Sequence, residues 1–366
     1  MKRLLAPFLG LLLLLGLFPS VTLGEPVSAE GAILMEASTG RVLYASDADK
    51  RLPMASTTKV MTALLAIERY EADAIVVVPK EAVGVEGSSL YLKEGERIRM
   101  IDLVYGLMLA SGNDAAVAIA LSVCGSVEDF AALMNEKAAS LGLYHTQFVT
   151  PNGLHDDAHY TTARDLAVLT CHALKNPVFR TIVSTQYHQT EGGSVTRTFK
   201  NKNRLLWEYE GANGVKTGYT QIAGKCLVFS AERDGMQLVG VVLDCPAMWN
   251  AAEVLLELGF SEYEMVPVLD PKSTLLLPVK NGEKSVLSVV PKQGILVPLR
   301  KDGSETVTMS TSLPAAVSAP IRAGDAVGSV TVLLGDECLC TAPLVAQATV
   351  SERTFLTYLK LLVTGY

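Results

Sequence analysis

The chain has 366 residues, 49% of them apolar, which is enough for about two domains with a real core. Its net charge of −7 and isoelectric point near 5.4 speak against a nucleic-acid binder, which would present a basic face. Six cysteines at irregular spacing do not make a disulfide framework in so long a chain. Without a C-x-x-C pair they do not make a structural zinc site either, so mostly buried free thiols are expected.

Lys2 and Arg3 precede a leucine-rich stretch, 4–18, that turns polar at Ser20. A basic start and an apolar core followed by small residues make an export signal. Cleavage fits best after Val27-Ser28-Ala29, giving a leader of 1–29, with Thr22-Leu23-Gly24 second. The alternative, an uncleaved anchor, would have an apolar core short for a membrane span. Residues 31–36 and 41–44 around a Ser38-Thr39-Gly40 turn predict a β-hairpin. Next comes 51–68, R-L-P-M-A-S-T-T-K-V-M-T-A-L-L-A-I-E, in which Lys59 is the single charge between the two ends. A buried helix is expected to begin near Ser56. Residues three apart share a helix face, so the Lys59 ammonium returns towards the Ser56 hydroxyl. Apolar surroundings lower a lysine's pKa and make a neutral, proton-accepting amine accessible, while the helix start offers unpaired N–H groups to an oxyanion. S-x-x-K alone occurs about once by chance in a chain this long, and the plain alternative is a helix cap with a snorkelling lysine.

Residues 72–100 are short β pieces and turns, with Gly87-Ser88-Ser89 among them. A helix over 101–110 is predicted to stop at Ser111-Gly112-Asn113, after which Asp114 caps a second apolar helix to Val123. Helices over 128–141 and 162–174 flank the turn Thr150-Pro-Asn-Gly153. From Gly214 the period changes to strands, 214–219, 225–232 and 236–244, followed by a helix over 247–258. Two early strands and three late ones with helices between imply an α+β fold for 30–265, an antiparallel five-stranded sheet with helices on its faces. Residues 266–350 read as a small all-β sandwich with nothing catalytic in it. In 351–366, Phe355, Leu356, Leu359, Leu362, Val363 and Tyr366 share one helical face. That face fits contact with a membrane, and packing on the β domain or on a partner is the alternative.

Attack on an amide by Ser56 would need a base, a proton route to the leaving amine, oxyanion donors and a cationic grip on the substrate's carboxylate. Lys59 supplies the base, Ser111 can relay a proton, and Asn113 can orient the Lys59 amine and the substrate amide. On the predicted strand, Lys216 adds positive potential, Thr217 a carboxylate donor, and Gly218 lets a substrate backbone lie close. In this order Ser-x-x-Lys, Ser-x-Asn and Lys-Thr-Gly resemble the penicillin-interacting serine acyltransferases and β-lactamases. The flanking residues narrow the likeness: Leu52-Pro-Met-Ala-Ser56-Thr-Thr-Lys59, Leu107-Met-Leu-Ala-Ser111-Gly-Asn113, Thr150-Pro-Asn-Gly-Leu154 with His159-Tyr-Thr-Thr-Ala-Arg-Asp165, and Gly214-Val-Lys216-Thr-Gly218-Tyr-Thr. Together they resemble the serine-type D-alanyl-D-alanine carboxypeptidases, the low-molecular-mass penicillin-binding proteins, over about 31–260.

The resemblance implies Ser56 as the acylated nucleophile, Lys59 as base, and Ser111, Asn113 and Lys216 in support, with the N–H groups of Ser56 and Tyr219 as oxyanion hole. It implies removal of the terminal D-alanine from peptidoglycan stem peptides, covalent trapping by β-lactams, no metal or cofactor, and an exported enzyme at the outer face of the cytoplasmic membrane and cell wall. Some relatives place an arginine shortly after the last strand to bind the terminal carboxylate. Here no Lys or Arg lies between Arg233 and Lys272, so that task falls to Lys216 and Thr217. A β-lactamase would want a further carboxylate for rapid deacylation, and no E-x-x-L-N segment separates the second and third motifs. Endopeptidase or transpeptidase action would differ in the acceptor that reaches the acyl-enzyme. A non-catalytic wall-binding scaffold is opposed by the presence of both Ser56 and Lys59. His155 and His159 could ligate a metal on a helix, but they follow Pro151-Asn-Gly153, so a loop without a third ligand is expected.

Overall fold

Strand β1 (Gly31–Glu36) is buried along its whole length in the computed structural model, which describes residues 27–355 and 363. Six buried residues in a row mean that both faces of the sheet are covered. The hairpin partner is β2 (Val42–Ser46), and the helices α1 (Lys59–Arg69), α2 (Met100–Tyr105), α3 (Asn113–Cys124), α4 (Val127–Ser140), α5 (Ala163–Ala173) and α6 (Pro177–Ser184) follow. Strands β3 (Ala212–Thr220), β4 (Gly224–Arg233) and β5 (Met236–Leu243) and helix α7 (Met248–Glu262) complete the unit. The sheet order is β2-β1-β5-β4-β3, antiparallel throughout, as the alternating pattern implies.

The two faces divide by the strand period of two. Ile33, Met35, Val228 and Val241 point to the helices α1–α6, while Ala32, Leu34, Leu227 and Val242 point to Leu255 and Leu256 of α7. The starts of α4, α5 and α6 carry capping residues: Ser126 accepts from Asp129 N, Thr162 from Asp165 N, and Asn176 from Val178 N and Phe179 N. The expected helix over 101–110 is really two pieces, since α2 gives way to a π-helical turn over Gly106–Ala110 that ends at Ser111 in the left-handed region.

Strands β6 (Tyr263–Leu269), β7 (Leu275–Lys280), β8 (Val286–Pro291), β9 (Ile295–Arg300), β10 (Val307–Ser312), β11 (Ala326–Leu334) and β12 (Glu337–Ala346) make the second unit. A sheet ordered β10-β11-β12-β8-β7, with Val317–Ser318 at its edge, packs on the ribbon β6-β9 around Leu277, Val289, Val297, Val332 and Leu344. Arg41 ties the two units together: it donates to Pro298 O and, through two nitrogens, to Glu305, and lies over the Tyr263 ring.

The thiols are all free, but only Cys171, Cys226 and Cys245 are buried. Cys338 is exposed on β12, while Leu339 is turned into the core and Cys340 is half-buried against it. The expected export signal falls on 1–26, apart from Val27-Ser28-Ala29, and the body of the terminal helix on 356–362 and 364–366, outside the described residues. Among the described residues no single helix is long and apolar enough to cross a membrane.

Candidate active site

Ser56 sits one step before the helix expected to contain it, on a 3-10 turn over Ala55–Thr58, and α1 begins at Lys59. Three residues per turn make positions i and i+3 eclipse, so the Ser56 and Lys59 side chains stack directly. Lys59 Nζ lies 2.9 Å from Ser56 Oγ, 2.7 Å from Asn113 Oδ1 and 2.6 Å from Asn152 O. The lysine is completely buried, and none of these partners is a carboxylate. Burial first, then the nearby charges of Lys216 and Lys202, hold its pKa far below the ordinary lysine value. An amine held this way loses its proton more readily than an exposed lysine does.

The turn itself is held in a costly shape. Ala55 has φ +47, and Thr58 Oγ1 donates to Ala55 O. Gly153, at φ +83, presses against the same carbonyl: a Cβ there would come within 1.9 Å of Ala55 O. Behind Thr58 lies His159, buried, with Nε2 2.7 Å from Thr58 Oγ1 and Nδ1 accepting from Val149 N and Thr150 N. Chiefly by desolvation, its pKa is lowered to about 4. His155 and His159 lie on the expected loop.

Asn113 opens α3 and spans the site: its Oδ1 meets Lys59 and its Nδ2 donates to Glu86 O. Gly87 passes so close that a Cβ would sit 2.7 Å from Asn113 Nδ2. Asp114 is not the expected helix cap. It lies buried within the first turn of α3, whose cap position is Gly112, and accepts from Leu90 N, Leu92 N and Ser89 Oγ of a distant loop as well as from its neighbour Ala115 N. It therefore shapes the Ser88–Leu92 loop beside the site. Ser111 is buried at φ +65, directly before Gly112 and Asn113.

On β3, Lys216 is buried and donates to Thr217 O, and its pKa is lowered to about 7 by burial and then by the charge of Lys202. Gly218 runs alongside the Ser56 turn: a Cβ there would lie 3.2 Å from Ser56 N, Met54 O and Ala55 Cβ. A cleft of about 670 Å³ opens between these elements, lined by Ser56, Asn113, Asn152 and Tyr219, with Glu86–Ser88 and His155 around it. Ser111, Lys216, Thr217 and Gly218 do not line it, although Gly218 adjoins Ser56. Three partners escaped sequence reasoning. The Asn152 carbonyl is a backbone group to which the sequence motif assigns no role, Lys202 belongs to no local pattern, and the one role weighed for His159 was that of a metal ligand.

A sequence family described as D-alanyl-D-alanine carboxypeptidase matches residues 20–247, and one described as penicillin-binding protein 5, C-terminal domain, matches 263–352. The chain is 34% identical to the D-alanyl-D-alanine carboxypeptidase DacF of Bacillus subtilis, across 98% of this chain and 97% of that protein. Penicillin-binding protein 5 from Haemophilus influenzae superposes with a TM-score of 0.74 at 28% identity, covering 90% of this chain and 99% of that one. The Streptomyces K15 DD-transpeptidase does so with a TM-score of 0.62 at 38% identity, covering 65% and 98%.

Proposed function

Since the chain belongs to the D-alanyl-D-alanine carboxypeptidase family of serine peptidases, we propose that Ser56 attacks the carbonyl between the two terminal D-alanines of a peptidoglycan stem peptide. Lys59 takes the hydroxyl proton, and the developing oxyanion is met by the N–H groups of Ser56 and Tyr219. Ser111 relays the proton to the departing D-alanine, while Asn113 holds both the Lys59 amine and the substrate amide. Lys216 and Thr217 receive the terminal carboxylate, and Lys202 adds the further positive potential that the missing arginine would have supplied. Gly218 leaves room for the substrate backbone. Water then cleaves the acyl-enzyme, and a β-lactam opened by Ser56 stays attached. The observation that carries this reading is the fully buried Lys59 amine, 2.9 Å from Ser56 Oγ with only neutral partners.

We divide the chain into a leader, 1–29, a peptidase domain, 30–265, a β domain, 266–350, and a terminal segment, 351–366, whose first four residues are not helical as expected but extended, Glu352 bridging to Gly282, so that the amphipathic helix begins only at Phe355 and rests on the outer face of the cytoplasmic membrane. Trimming of stems there removes donors for cross-linking. Intact mass after incubation with a β-lactam, together with D-alanine release from a diacetyl-lysyl-D-alanyl-D-alanine peptide, tests the chemistry. A persistent single adduct is expected, and Ser56→Ala should lose both adduct and release. Rapid disappearance of the adduct with β-lactam hydrolysis would favour a lactamase, and a folded protein giving neither signal would sink the catalytic reading.

A further inference from the structure

A second cleft, of about 540 Å³, lies next to the first, and of the residues that line it only Lys202 enters the chemistry above. That volume falls in the range of sites for small organic ligands. Its wall is the segment after the short strand Thr198–Lys200, where burial alternates strictly: Phe199, Asn201, Asn203 and Leu205 point in, and Lys200, Lys202 and Arg204 point out. The inward amides make the segment rigid. Asn201 donates to Val183 O and Thr185 O and accepts from Asn203 N, and Asn203 accepts from Leu205 N. Three cations are thus held at fixed spacing along one edge.

Aromatic rings stand beside them. Trp207 lines the cleft and is 41% exposed, and Tyr187, 56% exposed, meets it edge-on at 6.1 Å and 80°. The Lys200 ammonium lies 5.3 Å from the Trp207 ring centre and 5.8 Å from that of Tyr187. Arg204 and Glu208 form a paired guanidinium and carboxylate on the same wall. A patch of this make-up suits neither a greasy ligand, which three cations would repel, nor a simple polyanion, which Glu208 would oppose. It suits a ring that is apolar on its face and polar round its rim. A pyranose is such a ring: its C–H face stacks on an indole, and its hydroxyl and acetamido groups accept from ammonium and guanidinium donors.

The two clefts meet at Lys202. Its Nζ reaches Ser88 Oγ, on the rim of the catalytic cleft, and its charge is felt at Lys216. We propose that Trp207, Tyr187, Lys200 and Arg204 form a glycan-binding platform that holds an N-acetylated amino-sugar strand of the wall while a stem is trimmed beside it. The proposal rests on the peptidoglycan reading given above. Because Lys202 adjoins Lys216, the residue assigned to the terminal carboxylate, the platform lies on the side of the departing D-alanine. The strand it holds is therefore a neighbour of the one being trimmed.

The test measures two things on the full chain: affinity for a stem-free chitin tetrasaccharide and for purified sacculi, and turnover of the soluble diacetyl-lysyl peptide. Trp207→Ala and Lys200→Ala are compared with the unsubstituted protein and with Ser56→Ala, with circular dichroism as the folding control. The expected result is a loss of at least tenfold in tetrasaccharide and sacculus affinity in Trp207→Ala, a smaller loss in Lys200→Ala, and unchanged turnover of the soluble peptide. Ser56→Ala should keep both affinities and lose turnover, so that failure of the catalytic reading shows separately, as absent turnover in the unsubstituted enzyme. The proposal is overturned if the unsubstituted protein does not bind the tetrasaccharide at millimolar concentration. It is equally overturned if Trp207→Ala binds as before, or if soluble-peptide turnover falls in step with sacculus affinity, which would make Trp207 a mere support of the catalytic cleft.

Discussion

His159 shows how one side chain sets a limit on the acid stability of the site. Its Nδ1 accepts from two backbone N–H groups, so the ring can carry its proton only on Nε2, facing Thr58 Oγ1. A second proton would place an N–H against an N–H in a dry pocket. The pKa of about 4 lies below the ordinary 6.5, so the unfolded chain binds a proton that the folded chain refuses. Stability from this residue is complete above pH 6.5 and declines as the pH falls towards 4, by about 3 kcal/mol in all. In urea titrations at neutral pH and at pH 4, His159→Gln should lose less stability on acidification than the unsubstituted protein. Equal losses would mean that His159 is not the group responsible. The Ser56–Lys59 contact was legible in sequence because a three-residue spacing makes neighbours in a 3-10 turn as in an α-helix. The third partner of Lys59 was not, since a main-chain carbonyl such as that of Asn152 has no letter of its own. Lys202 was hidden for a different reason: its nearness to Lys216 is created by the chain's path between two segments, not by any local repeat.

At the scale of elements, the Ser56 turn is shaped by its neighbours as much as by its own residues. Ala55 holds a positive φ that costs about 1 kcal/mol or more, and the Gly153 turn packs against its carbonyl. Gly153→Ala would meet both a backbone clash and a left-handed φ, so a loss of about 2–4 kcal/mol is expected. Displacement of Ser56 should add a loss in turnover of about a hundredfold. Gly84→Ala is the control: its φ is +73 but nothing lies within 4 Å of the new methyl, so about 1 kcal/mol and unchanged turnover are expected. Thermal melts alongside D-alanine release check both, and a Gly153 variant as active as the control would remove the turn from the account. Most strands and helices were readable because their apolar periods are strong, and β3, β4 and β5 fall where alternation placed them. Asp114 was misread because position after a loop resembles a cap in sequence, whereas which backbone groups a carboxylate finds is decided by a distant loop.

Across the whole molecule, Arg41 decides how firmly the β unit is attached. It is 7% exposed, and its main partner Glu305 is nearly as well covered. Removing one member of a buried pair strands the other, so Arg41→Ala should cost about 3–5 kcal/mol, most of it at the seam. Differential scanning calorimetry should then resolve two transitions where the unsubstituted chain gives one, and a single unshifted transition would show that β6 and α7 suffice. The same large scale holds a consequence of the sheet order. β1 pairs along its length with β5, Gly31 opposite Leu243, so the strand made first finds its partner roughly two hundred residues later. Until that late arrival, the apolar run 32–35 near the front of the chain has only the hairpin strand β2 beside it, and the centre of the sheet stays open. Folding of this unit therefore closes at its beginning, and the leading end remains free to be threaded elsewhere until nearly the last strand has been synthesised.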